Sequence, residues 1–217
     1  MPIVEPVISN VITSTNGGNW YNSGPVLQNA FNLACTTIYE RHRDTFEVDQ
    51  KESDYLQELY QTISPTLANP LVIPGTASGS IVDLVKQVEV KYGAQTLWQA
   101  VQYLPDNNYT KIASSLVIPP STTKPIMRLN SLFTYEILPV GYTSVQARVL
   151  CLPITAVFEL TDNNSPIPDI DVTTDSNYTE DKIPLLTFLT MTFLSLAPPE
   201  PLIAQFADQW AAKIPGQ

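Results

Sequence analysis

The chain has 217 residues, room for one large domain or two small ones, and 44% of them are hydrophobic, which excludes wholesale disorder. Only 15% are charged, well under the roughly one quarter usual for soluble domains, and 21 acidic against 11 basic residues leave a net charge of −10. With no basic cluster to drive counterion release, nucleic acid and anionic lipid are not expected as partners, nor is a coat protein that condenses a genome through a basic arm.

The N-terminus, MPIVEPVISN, has neither a basic leader nor a continuous apolar stretch and does not read as a signal peptide. Residues 1–14 place Val4, Val7, Ile8, Val11 and Ile12 among Pro2 and Pro6, and the prolines favour an extended arm or edge strand. The loop 15–24 (TNGGNWYNSG) displays Trp20 and Tyr21, aromatics suited to anchoring a partner.

A helix is expected from Ser23-Gly24-Pro25, with Leu27, Phe31, Ala34 and Ile38 as its apolar stripe. It closes in the charged run Glu40 to Asp44, where His42, the only histidine, is expected to be exposed and to favour the helix dipole. Further helices are expected from Ser53 to Ile63, from Ser80 (a capping box with Asp83) to Gly93, and over Thr96 to Leu104. On this reading residues 25–118 form a mainly helical region.

The Pro119–Pro125 stretch (PPSTTKP) then marks a boundary. Strand-like runs follow at Ile126–Leu138, Tyr142–Leu152 and Ile154–Leu160, with Pro139-Val140-Gly141 as a hairpin turn. Val145, Ala147, Val149 and Cys151 share one face of the second run, and Gln146 and Arg148 the other. The fold class is therefore α+β: a helical N-terminal half, an antiparallel β-meander within residues 119–217, and a C-terminal amphipathic helix. That last helix, 202–214, carries Ile203, Phe206 and Trp210 on one side as a second candidate interface. The longest apolar stretch, Ile183–Leu196, is broken by Thr187, Thr190, Thr192 and Ser195. It is too short to span a bilayer and is expected to be a buried strand.

Between them lies an acidic loop, 161–182. Asp169, Asp171, Asp175 and Glu180 fall at positions 1, 3, 7 and 12 of a twelve-residue frame, the spacing with which an EF-hand loop wraps calcium in oxygen ligands. Thr174 stands where that loop needs glycine, and prolines rather than helices flank it, so a solvated acidic loop is the stronger expectation and calcium the only cofactor to test.

Cys35 and Cys151 read as buried apolar side chains on a helix and a strand. Beyond His42, catalysis would need a carboxylate pair such as Glu136 and Glu159. A sparsely charged, proline-punctuated chain with no catalytic set points to a non-enzymatic structural subunit of a large assembly. A bacteriophage or virus particle, assembled in the host cytoplasm, is the leading class, with contacts to its own copies and to other assembly proteins. A monomeric binding module and a carboxylate hydrolase are the alternatives.

Overall fold

The structure is a computed structural model that describes residues 3–14, 24–44, 46, 55–163, 165 and 167–195. It is a mixed α+β fold. The chain divides into two units, Met1–Leu59 with Pro153–Gln217, and Tyr60–Leu152. The proline stretch 119–125 lies inside the second. Tyr60 on the entering strand pairs in register with Leu150 on the departing one, so the chain enters and leaves the second unit on neighbouring strands.

Among the described residues, the first unit holds three α-helices and a two-stranded ribbon. Helix α1, Val4–Ser14, replaces the expected extended arm. Val4, Val7, Ile8, Val11 and Ile12 recur at helical spacing and all are buried. Pro6 falls in the first turn, where its missing N–H costs no intrahelical bond. Helix α2, Gly24–His42, buries the expected Leu27, Phe31, Ala34 and Ile38.

The expected helix from Ser53 is not formed over its described part, which is a 3-10 turn at Gln57–Leu59 running into a strand. The run Ile183–Ser195, expected as a strand, is a helix. Leu186, Thr187, Thr190, Met191 and Leu194 make its buried stripe. A continuous apolar run of this kind cannot be assigned by periodicity, and its 13 residues suit a helix better than a strand. This helix packs against both α1 and α2. Part of the acidic loop is ordered as a strand, Asp169–Thr174, antiparallel to Val157–Thr161. That two-stranded ribbon packs on α2 through one strand and on α1 through the other. The expected C-terminal helix lies outside the described residues.

In the second unit the largest departure is Ser80–Tyr92, a 13-residue strand where a helix was expected. Val82, Val88, Val90 and Tyr92 are buried, and β-branched residues of this density suit a pleated surface. The supposed capping box is the exit of a hairpin. Ala77 pairs with Ser80 across Ser78 and Gly79, both at positive φ (48° and 85°), the geometry that matches the strand twist. Thr96–Leu104, also expected to be helical, contains two short strands.

In chain order the strands are β1 Tyr60–Ile63, β2 Leu71–Val72, β3 Thr76–Ala77, β4 Ser80–Tyr92, β5 Gln99–Ala100, β6 Gln102–Tyr103, β7 Ile126–Ser131, β8 Thr134–Leu138 and β9 Tyr142–Cys151, with β10 and β11 forming the ribbon. The helices after α2 are α3, Asp106–Ala113, and α4, Ile183–Ser195.

One sheet runs β1-β9-β4-β3, with β5 also on β4, and another β2-β8-β7-β6. Pro139-Val140-Gly141 is therefore no hairpin turn: β8 and β9 belong to different sheets, and the expected meander is not formed. The alternation in β9 holds, with Val145, Ala147, Val149 and Cys151 buried. They join Leu71, Met127, Tyr135 and Ile137 from the other sheet in one core, so the sheets pack face to face.

Candidate functional site

Helix α3 is fixed to its sheet by an apolar and a polar clamp. Leu104, Tyr109 and Ile126 form a small core with Ile112, Ala113 and Leu138 around it. Arg128 lies 4.9 Å from the Tyr109 ring centroid, 2.6 Å from Glu136 and 3.5 Å from Asp106. Immediately after α3, Leu116, Val117 and Ile118 are 99%, 88% and 69% exposed. Keeping three large aliphatic side chains in water forgoes about 1.5–3 kcal/mol each relative to burying them.

The loop is not loose. Ser115 Oγ accepts hydrogen bonds from the backbone N–H groups of Val117 (3.2 Å) and Ile118 (3.0 Å). Pro119 and Pro120 have no N–H to satisfy, and Ser121 and Lys124 close the next turn by paired backbone bonds. Ile112, Ala113 and Leu138 all pack against this small core, and Val140, 61% exposed, lies two residues beyond Leu138. Sequence reasoning missed this surface because a run of Leu, Val and Ile ordinarily signals a core.

Two expected interfaces, Trp20 with Tyr21 and Ile203 with Phe206 and Trp210, lie outside the described residues. The four acidic residues of the calcium frame have separate tasks. Asp169 and Asp171 stand on the exposed side of β11, and Glu180 opens a 3-10 turn. Asp175 caps α1 from 171 residues away: its carboxylate accepts from Ile3 N (2.7 Å), Val4 N (3.0 Å) and Ser176 N (2.8 Å). Among the described residues no group of three or more potential ligands is placed to hold a metal ion.

Negative charge at a helix N-terminus is favourable, and a lost cap of this kind costs about 1–2 kcal/mol. Asp175→Ala is expected to lower stability by that amount in urea denaturation, and Asp175→Asn, which keeps one acceptor, by less. An unchanged midpoint for the alanine variant would remove the cap from the account.

His42 is buried rather than exposed, its ring stacked on Tyr55 at 4.3 Å between centroids. Beside it Lys182, 92% buried, contacts Asp181 and lies 3.7 Å from Glu58 and 5.6 Å from the Tyr55 ring centroid. The Thr179 hydroxyl stands between Glu58 Oε1 and Asp181 Oδ1 and can donate to one at a time.

Burial works to raise the Asp181 pKa, but hydrogen bonds from Lys182 and Thr179 and the lysine charge outweigh it and hold the carboxyl below its ordinary range. A depressed folded-state pKa contributes stability that is present above the unfolded value, near 4, and is lost as pH falls through the folded one. The urea midpoint of Asp181→Asn is therefore expected to fall less than that of the unsubstituted chain between about pH 5 and pH 3. Parallel acid titrations would contradict this.

Cys35 and Cys151 are free and buried, as expected. Burial pushes the Cys35 thiol up to about 12, which removes the thiolate that redox or nucleophilic chemistry needs. Glu136 is committed to Arg128, and Glu159 stands on the exposed side of β10 in the other unit. Among the described residues no helix is long and apolar enough to cross a membrane. The chain matches no protein-family model, and no curated protein shows significant similarity to it.

Proposed function

We propose that this chain is a non-enzymatic structural subunit of a large protein assembly, joined to further copies of itself through the Leu116–Ile118 loop. The observation that carries the reading is three consecutive exposed aliphatic side chains on a loop whose backbone is held by Ser115. Isolated exposed apolar residues are ordinary, but a contiguous fixed group marks a contact surface. The low charge density and the 19 prolines of the chain support a bacteriophage or virus particle as the class of assembly. A loop that meets a different surface on the next copy would generate rings or filaments, the heterologous interfaces from which such particles are built.

Light scattering coupled to size exclusion tests this. The unsubstituted chain is expected to exceed the monomer mass of 24.0 kDa, increasingly with concentration. The triple variant Leu116→Ser/Val117→Ser/Ile118→Ser is expected to run as a monomer with an unchanged circular dichroism spectrum. A monomer for the unsubstituted chain at every concentration would overturn the proposal, as would an oligomer indifferent to the three substitutions.

A further inference from the structure

On the face of the five-stranded sheet turned away from the core, the stretch around Glu89 is polar, and its groups are organised, whereas Leu150 further along the same face is fully buried. Side chains directly opposite each other in an antiparallel pair share a face. Glu89 pairs with Gln146, and Gln87 with Arg148. Glu89 is the hub. Its Oε1 accepts from Gln87 Nε2 at 3.2 Å and lies 3.6 Å from Arg148 Nη2, and its Oε2 accepts from Gln146 Nε2. Only 11% of the Glu89 side chain is exposed, so the carboxylate acts beneath the surface and holds the Gln87, Gln146 and Arg148 side chains around it.

What those three still offer follows from their chemistry. Each carboxamide uses one N–H on Glu89 and keeps its other N–H and its carbonyl oxygen, and the guanidinium keeps further N–H groups. Two residues along β4, Lys91 places its ammonium 4.5 Å from the centroid of the half-buried Trp98 ring, next to β5. The face thus combines paired donors and acceptors, held by Glu89, with an ammonium over an aromatic ring alongside.

We infer that this face binds a saccharide, with the amides of Gln87 and Gln146, the guanidinium of Arg148 and the Lys91 ammonium held over Trp98 bridging vicinal hydroxyls. Vicinal hydroxyls each donate and accept, as a carboxamide does, whereas a phosphate would meet the Glu89 carboxylate and two amide oxygens it cannot use. An added peptide strand would take its hydrogen bonds from a sheet edge, not from a face. Anchoring by Glu89 limits the rotamer entropy lost when the ligand arrives, which lets a shallow face bind. The inference stands independently of self-association.

The test is an array of defined neutral and acidic oligosaccharides probed with the full-length chain. Binding to at least one saccharide is expected, weakened tenfold or more by Trp98→Ala and by Gln146→Ala. Glu89→Gln should weaken it similarly, because its NH2 group would oppose one of the amides that Glu89 now accepts from. Melting temperatures of all three variants establish that the loss is not one of folding. Gln87→Ala, which leaves the Glu89–Gln146 contact in place, provides a further variant should one of them fail to fold. Absence of binding to every saccharide would overturn the inference, and so would binding that folded variants leave within twofold.

Discussion

Replacing Lys182 with methionine is expected to destabilise the first unit by about 3–5 kcal/mol, the cost of leaving a buried charge without its partner. Glu58 makes the difference. Its side chain is 86% buried, its Oε1 relies on Lys182 and Thr179, and its Oε2 has no hydrogen-bond partner. Asp181, 62% exposed, can return to water when the lysine is lost; Glu58 cannot. The double variant Lys182→Met/Glu58→Leu removes both buried charges and is expected to recover most of the loss, since apolar replacements of a buried pair are often neutral or better. Urea denaturation of the two single variants and the double variant measures the coupling. Additive losses would show that the pair is hydrated and does not stabilise the fold through mutual contact.

The same cluster shows where reading the chain falls short. His42 belongs to a charged run at a helix end, and such runs are normally solvated. Its burial depends on Tyr55, 13 positions away, which covers it. Asp175 looked like one ligand in a regular frame of carboxylates, yet its geometry is set by an α1 N-terminus that folds back from the far end of the chain. Neither relation leaves a local signal.

Periodicity was informative where one face alone is buried. The stripe of α2 and the alternation of β9 were legible, and the stripe of α1 was there to be read once Pro6 is recognised as a first-turn residue. It failed in β4, where Ile81, Leu84, Val85 and Val88 also fit a helix. The positive φ of Ser78 and Gly79 turns that segment into a hairpin. The polar face carried by Glu89, Gln146 and Arg148 was half visible, because alternation placed Gln146 and Arg148 together, but only strand pairing adds the glutamate. The apolar loop at Leu116 was invisible, since exposure is a property of the fold rather than of the residue.

The helices of the first unit hold a reserve of stability. Thr187 and Thr190 on α4 are fully buried, and neither hydroxyl has a hydrogen-bond partner. Both belong to the stripe that α4 buries, and α4 packs on α1 and α2, whose buried faces are mainly aliphatic and aromatic. Thr192, on the half-buried side, instead donates to the Phe188 carbonyl at 2.8 Å. A buried hydroxyl without a partner costs about 1–3 kcal/mol. Valine has nearly the same shape, a similar helix propensity and no hydroxyl to satisfy. Thr187→Val/Thr190→Val is therefore expected to stabilise the first unit by about 2–4 kcal/mol, read as a higher urea midpoint at unchanged slope. Thr192→Val removes an existing hydrogen bond and should give no such gain. A double variant less stable than the unsubstituted chain would mean that both hydroxyls are satisfied in solution, by water or by each other's surroundings, and that the α4 stripe is wetter than its burial implies.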